Sequence, residues 1–475
     1  MKSLYLTTTL PYVNAEPHIG FAYEIVLADA IARHARLMGR DVFFNTGTDE
    51  HGQKIAEKAV EKGEPVQAYV DHFAGKFREL KGILGLSDDL HFIRTTDEKH
   101  VHAAQEFWKR CAAKGDIYKK TYKGLYCVGD EMFLKDSDLV NGRCPNHPNV
   151  DPVEIEEENY FFALSKYQAK LEEYLSKESV VVPAWRREEA LNFVCKGLED
   201  FSISRETKRM SWGIPVPGDD TQVMYVWFDA LVNYISTLGW PDGADFATFW
   251  NDGETLQLAG KDQVRFQSIM WQAMLMSADV KATDTVLYHG FITSGGQKMS
   301  KSLGNVIAPA DLVARYGTEA TRYLLLRHVH PFEDTDVTLE RFDELYNAHL
   351  ANGVGNLVSR IMKLATTHLE GVPEIPENTI PDTFKDAMNR YRVDEAAEMV
   401  WQRIGALDER IQLEQPFKVV KTDPEKGKEM IRGLIVELYA IARVLYPFMP
   451  DTNVHIKDLI KANKMPDAPL FLRKE

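Results

Sequence analysis

Residues 4–44 read LYLTTTLPYVNAEPHIGFAYEIVLADAIARHARLMGRDVFF. Leu4, Tyr5, Leu6 and the threonines through Thr9 favour a buried strand, because aromatic and β-branched side chains suit a pleated, covered surface. Pro11, Asn14, Glu16 and Pro17 break it. Ile25, Ala28, Ile31, Ala32 and Ala35 then recur at helical spacing, and Gly39 closes the helix ahead of the apolar run Val42, Phe43, Phe44. A strand, a helix and a second strand in this order form a β-α-β unit, which predicts a parallel sheet.

Similar alternation returns at Met224 to Phe228, at Leu256 to Leu258 with a helix after Asp262, and at Thr285 to His289. The sheet is therefore expected to be split. The interruption, Lys119 to Pro217, holds Cys127, Cys144, many turn residues and the acidic run Glu154 to Glu158, and reads as a separate lobe. From about Asp343 helical periodicity takes over, with one stripe through Leu350, Val354, Leu357, Val358, Ile361 and Leu364. A second runs through Ile431, Leu434, Ile435, Leu438 and Ile441. The expected fold is α/β: a parallel sheet in two halves, 1–118 and 218–342, an insertion at 119–217, and an α-helical domain at 343–475.

A chain of 475 residues exceeds what one hydrophobic core organises, so several domains are expected. Hydrophobic residues at 44% and charged residues at 27% are ordinary globular values and exclude disorder or collagen over most of the length. The net charge of −15 argues against a nucleic-acid binder that relies on overall positive charge, while leaving room for a local basic path. Four cysteines in so long a chain are no disulfide framework, and no charged-then-apolar leader opens the sequence, so a cytoplasmic protein is expected. The uncharged run Ser3 to Ala15 is too short for a membrane span.

Two segments carry phosphate chemistry. His18, Ile19 and Gly20 sit at the strand-to-helix junction, where free amides and the helix dipole favour an anion and His18 can donate to a phosphate oxygen. Taken alone they read more readily as a surface histidine beside a helix start. Far downstream, Gly295, Gly296 and Gln297 lead into Lys298, Met299, Ser300, Lys301 and Ser302, a serine-rich loop with two lysines three apart. Such ammonium groups can neutralise charge growing on a triphosphate as its α-phosphorus is attacked. A solvated basic turn is the plainer reading, and the pairing of the two motifs in this order weakens it.

At this point the chain resembles the class I aminoacyl-tRNA synthetases, and within them the methionyl-tRNA synthetase family. His18 to Gly20 match the His-Ile-Gly-His motif, with Phe21 in its last place, and Lys298 to Ser302 match Lys-Met-Ser-Lys-Ser in full. Narrower matches are Thr8 to Tyr12 with Asn14, Gly47 to Gly52 (GTDEHG), Ser202 to Arg205, Trp212 to Pro217 (WGIPVP), Tyr225 to Ala230 (YVWFDA) and Gly260 to Asp262 (GKD). The resemblance implies ATP-dependent activation of L-methionine to methionyl-adenylate and transfer to the 3′ end of tRNA(Met), with Mg²⁺ accompanying ATP. By this resemblance His18, Gly20, Phe21, Asp262, Lys298 and Lys301 face ATP, Arg205 adds a fixed positive charge, and Phe21 removes one donor. For methionine it implies Leu10 and Tyr12, Asp49 against the α-ammonium, and Trp227, Ala230 and Tyr234 around the side chain. Gln263 and Gln267 stand where the family has an aliphatic residue and a histidine, which keeps a changed amino-acid preference open.

Cys127 and Asp130, then Cys144 and His147, form two close pairs of the kind a tetrahedral structural zinc needs, although the family has cysteine in place of Asp130. Zn²⁺ and a metal-free knuckle both remain open. Cys111 and Cys195 lie in apolar helical patterns and are expected to be buried. In the helical domain Asn356 and Arg360, four apart on one helix, match the family's anticodon-reading pair. Phe417, after Pro416, replaces a tryptophan that stacks on a base, and Asp408 stands where asparagine is common. The insertion is too short for a large hydrolytic editing domain. The ending Pro469 to Leu472 resembles the close of the family's core, from which a monomer is expected. Alternatives are another adenylate-forming relative, or a noncatalytic tRNA-binding paralogue, which intact His18, Asp49, Arg205, Lys298 and Lys301 oppose.

Overall fold

The computed structural model describes all residues except 1, 129–131, 135–137, 146, 299–305, 377–379 and 475. Its chain divides into two compact units, one of Met1–Pro17, Arg40–Glu79 and Asp88–His289, the other of His18–Gly39, Leu80–Ser87 and Gly290–Glu475.

The first unit is built on six parallel strands in the order His91–Arg94, Val42–Thr48, Leu4–Thr7, Glu254–Gly260, Thr285–His289 and Val181–Val182. Leu6 lies opposite Phe44 on one side and Leu256 on the other, and all four residues of Leu4–Thr7 are buried. Burial on both faces is why this strand reads as a run without polar alternation. Tyr5, Phe43, Phe249 and Trp250 close one aromatic part of the core. The strand order turns back on itself between Leu4–Thr7 and Glu254–Gly260, and in open parallel sheets that reversal opens a ligand crevice beyond the strands' carboxyl ends.

Two expectations about this sheet are corrected. Met224 does not enter it: Asp219–Met224 pairs antiparallel with Ser204–Glu206 and Pro215–Val216, because Pro217 and Gly218, at φ 81°, fold the segment into a hairpin. The sixth strand comes instead from Val181–Val182, inside the segment read as insertion, and is held by Val286 and Leu287. Two residues are too few to show periodicity.

The lobe is a four-stranded antiparallel sheet whose centre is a long hairpin pairing Ile117 with Phe162 through to Tyr126 with Val153. Along Val153–Phe162 alternate residues turn inward, so within the acidic run Ile155 and Glu157 are buried while Glu154, Glu156 and Glu158 face solvent. Cys111 is buried, and burial pushes its thiol up to about 12. Cys195 is exposed, contrary to expectation, because it closes the helix Ala184–Cys195, whose inward residues are Ala190 and Val194.

The second unit contains the helix Ile19–Leu37 and the helical bundle. Asp29, fully buried, is paired with Arg33 at 2.7 Å and Arg322 at 2.8 Å and accepts from Ser87 Oγ at 2.6 Å. Burial alone would raise the Asp29 carboxyl; Arg322 and Arg33 outweigh it and hold the group below its ordinary range. The first expected stripe is buried at Leu350 and Val354 in Asn347–Gly355 and at Leu357, Val358 and Ile361 in Asn356–His368, with Leu364 only half-buried, and the second is buried in Pro424–Leu445. Among the described residues no helix is long and apolar enough to cross a membrane.

Candidate active site

In the first unit, the expected amino-acid residues leave the carboxyl ends of the parallel strands. Beyond Leu4–Thr7 come half-buried Leu10 and Tyr12, and Tyr12 bridges to Asp49, which follows Val42–Thr48. The backbone of Asp49 is held both ways: its N–H donates to Pro11 O at 3.0 Å and its carbonyl accepts from Val13 at 3.1 Å. Its neighbour Glu50 is clamped by Arg94 through two bonds of 2.7 and 2.8 Å. Trp212 Nε1–H donates to Glu50 O at 2.6 Å, which ties WGIPVP to GTDEHG.

The next residue, His51, places Nδ1 3.2 Å from Asp229 of YVWFDA. On the other side of this carboxylate His100 Nε2 lies at 4.0 Å, and His100 Nδ1 meets Ser236 Oγ at 2.9 Å. Burial raises the Asp229 carboxyl against the pull of His51, and burial, then His51, lowers His100 to about 3, so His100 stays neutral. Neither Asp229 nor His100 was foreseen in a role. An aspartate inside one motif is a visible signal, whereas His100, on an amphipathic helix, becomes legible only through tertiary packing.

Trp227 stacks face to face on Phe266, centroids 3.8 Å apart and planes 12° apart. Phe266 was missed, although it lies in the GKDQVRFQ segment. Ala230 and Tyr234 are buried, and Gln267 Nε2 donates to Tyr234 Oη at 2.5 Å. Gln267 thus reaches the tyrosine expected beside a methionine side chain. Gln263 is half-buried, 3.5 Å from exposed Asp262, in the turn that follows Glu254–Gly260.

Arg205 is 2% exposed, more enclosed than a residue expected to face reacting groups. Its Nη1 donates to Ser202 Oγ at 2.9 Å and Ser204 O at 2.7 Å, and its guanidinium lies 4.1 Å from the Tyr225 ring centroid. The thiols of Cys127 and Cys144 and the His147 ring bring one donor atom each within 4.8 Å of one another. Two sulfurs and an imidazole in that space fit zinc by donor type. Asp130 lies outside the described residues.

In the second unit, His18 caps Ile19–Leu37, and its Nδ1 accepts from Gly20 N at 3.1 Å. The neutral ring then carries its proton on Nε2, a donor suited to phosphate oxygen. A Cβ on Gly20 would come within 3.0 Å of the folded-back imidazole, which would have to shift to make room. The expectation of free amides is corrected for two groups: Gly20 N–H serves His18, and Ile19 N–H donates to Ile307 O at 3.0 Å. That second bond joins the first motif to the chain just beyond the second. Phe21 is buried.

Gly295 and Gly296, at φ 63° and 72°, turn the chain between Ile292–Ser294 and Gln297–Lys298, and Gly296 N–H is anchored on Asp336 at 2.8 Å. The backbone of Lys298 pairs with Thr293, while Lys301 lies outside the described residues. Asn356 is exposed at the start of its helix; Arg360 forms an ion pair with Asp408, which also accepts from Gln412 at 2.7 Å. Phe417 is exposed in the helix Pro416–Thr422.

A family model described as tRNA synthetases class I (M) matches residues 4–152 and 148–362. The chain is 40% identical over 476 residues to a methionine–tRNA ligase of Mesorhizobium japonicum, covering 97% of this chain and 91% of that protein. Against one of Thermotoga maritima the figures are 39% over 472 residues, 95% and 74%. Among solved structures, the Mycobacterium tuberculosis methionyl-tRNA synthetase in complex with methionyl-adenylate superposes with a TM-score of 0.89 at 36% identity, covering 97% of this chain and 94% of that one.

Proposed function

The chain belongs to the methionine family of class I aminoacyl-tRNA synthetases, and on that premise we propose how its residues divide the work. It is a methionine–tRNA ligase: it uses ATP to activate L-methionine as methionyl-adenylate and charges tRNA with it. The observation that carries the activation half is the bond from Ile19 N–H to Ile307 O, which fastens the helix led by His18 to the chain that follows Lys298 to Ser302.

In this reading the methionine carboxylate attacks the α-phosphorus of ATP, pyrophosphate leaves, and charge on the phosphates is stabilised by positioned donors, with no covalent enzyme intermediate. His18 donates through Nε2, Gly20 lets the imidazole fold back, and Lys298 and Lys301 supply ammonium groups to the phosphates. Phe21 supports the helix from the core side. Asp262 serves the nucleotide, and Arg205 contributes a fixed positive charge. Asp49 receives the α-ammonium, a charge-assisted contact. Leu10, Tyr12, Trp227, Ala230, Tyr234, Gln263 and Gln267 enclose the thioether, for which an aromatic wall adds sulfur–ring attraction to burial.

Mg²⁺ enters with ATP. Cys127, Cys144 and His147 would hold Zn²⁺, with Asp130 the fourth ligand the sequence offers, and the ion would supply a crosslink that stiffens the knuckle. The acceptor is tRNA(Met), read by Asn356, Arg360 and Phe417, and the enzyme works as a cytoplasmic monomer. The four segments 1–118, 119–217, 218–342 and 343–475 are its first catalytic half, insertion, second catalytic half and anticodon domain. Methionine-dependent ATP–pyrophosphate exchange tests the activation step, since tRNA plays no part in it. Metal content by mass spectrometry of the native protein tests the knuckle, and sedimentation tests the monomer.

A further inference from the structure

The lobe strand Ile117–Cys127 ends in two adjacent residues that serve different neighbours. Cys127 joins the thiol and imidazole cluster with Cys144 and His147. Tyr126 points to the other side of the strand, as successive residues do, and is 2% exposed. The Arg205 guanidinium lies 5.6 Å from its ring centroid and that of Arg209 5.8 Å. Both cations come from one short stretch, and Arg209 is in turn paired with buried Glu157. A π face attracts a desolvated guanidinium and, being rigid, fixes its place. Tyr225 contributes a second ring to Arg205, and Ser202 and Ser204 accept from its Nη1. Of these supports only Tyr126 comes from the knuckle strand.

We propose that Tyr126 is a positioning residue for adenylate formation: it fixes the Arg205 guanidinium and, through the strand it shares with Cys127, makes that guanidinium depend on an intact knuckle. The inference rests on the reading of Arg205 as an activating cation. It gives the knuckle strand a part in the chemistry without Tyr126 touching substrate. A knuckle whose small core of Cys127, Leu134 and Cys144 loosens lets the Tyr126 ring drift, and the two arginines with it.

The experiment uses the full chain and compares wild type, Tyr126→Phe, Tyr126→Leu, Cys144→Ser and the Leu/Ser double variant. ATP–pyrophosphate exchange and peptide-resolved hydrogen exchange over residues 202–209 are read together. Leucine keeps an apolar core but lacks a π face; phenylalanine keeps both. Tyr126→Phe is expected within about twofold of wild type, and Tyr126→Leu to lose about tenfold or more in kcat with the methionine KM within about twofold. Amides 202–209 exchange faster in Tyr126→Leu and in Cys144→Ser, and Cys144→Ser adds less than about twofold in the Leu background. Wild-type kcat or unchanged amide exchange in Tyr126→Leu overturns the proposal, as does an equal Cys144→Ser loss in both backgrounds. Arg205→Gln separates the two readings. Full activity there removes the role of Arg205 itself, whereas an inactive Arg205→Gln beside an active Tyr126→Leu leaves that role standing and removes Tyr126.

Discussion

A carboxylate oxygen of Asp229 lies 3.2 Å from Nδ1 of His51, with both side chains shut away from water. This pair joins the GTDEHG segment to the YVWFDA segment, so the residues two before His51 and two before Asp229, namely Asp49 and Trp227, are held by one buried contact. Asp229→Asn keeps the shape and removes the charge. It is expected to fold and to lose about tenfold or more in kcat for pyrophosphate exchange. Asp229→Ala empties the space and is expected to lose about 2 to 4 kcal/mol of stability as well, read from denaturant unfolding. An Asp229→Asn enzyme with wild-type kinetics would show that the pair is structural only.

Gln267 fixes Tyr234 through its amide, and in the proposed site both border the thioether. Gln267→Ala removes that partner and is expected to raise the methionine KM about tenfold, or ~1.4 kcal/mol, with a smaller change in kcat. Gln267→His puts back a side chain able to bond the same hydroxyl and is expected to stay within a few-fold of wild type. Steady-state exchange kinetics against methionine concentration decide it, and an unchanged KM for the alanine variant contradicts the placement.

The Asp29–Arg322 pair gives a stability prediction with a sign. Both side chains are fully buried, and Arg322 also donates to the carbonyls of Phe448, Leu84 and Pro447. Arg322→Met leaves a buried carboxylate with Arg33 and Ser87 alone, at an expected cost of about 3 kcal/mol near neutral pH. The folded-state pKa of Asp29 lies below its ordinary 3.8, so its contribution is present above that value and is lost as pH falls through the folded value. The gap between wild type and variant is therefore expected to narrow below about pH 4, measured as unfolding free energy across pH. A gap that widens in acid contradicts the assignment.

Arg360 is paired with Asp408 in the helical segment read as anticodon-binding. Arg360→Ala is expected to lower tRNA charging by about tenfold or more while leaving pyrophosphate exchange at the wild-type rate, because base reading belongs only to the second step. Parallel assays of the two steps separate the outcomes, and equal losses in both place Arg360 in general stability instead.

Much of this fold was legible because its signals are local. The run Leu4 to Leu6, the helix from Ile19 and the stripes at Leu357 and Ile431 each announce their periodicity within a few turns. Val181–Val182 was not legible, since a two-residue strand exists only through its bonds to Val286 and Leu287. Met224 misled because a strand beside a helix looks the same whether its partner is parallel or antiparallel, and Gly218 settles that through its backbone angle. At the site, most residues inside motifs were named in advance, Asp229 being an exception, while Phe266, His100 and Tyr126 were not. Each owes its place to a neighbour distant in sequence: Trp227, Asp229 and Arg205 respectively.

The most direct test of the central claim is ATP–pyrophosphate exchange by the purified chain with each proteinogenic amino acid in turn. Exchange that depends on methionine, with every other amino acid near background, is the predicted result. Exchange driven by another amino acid, or none at all from folded protein, would contradict it.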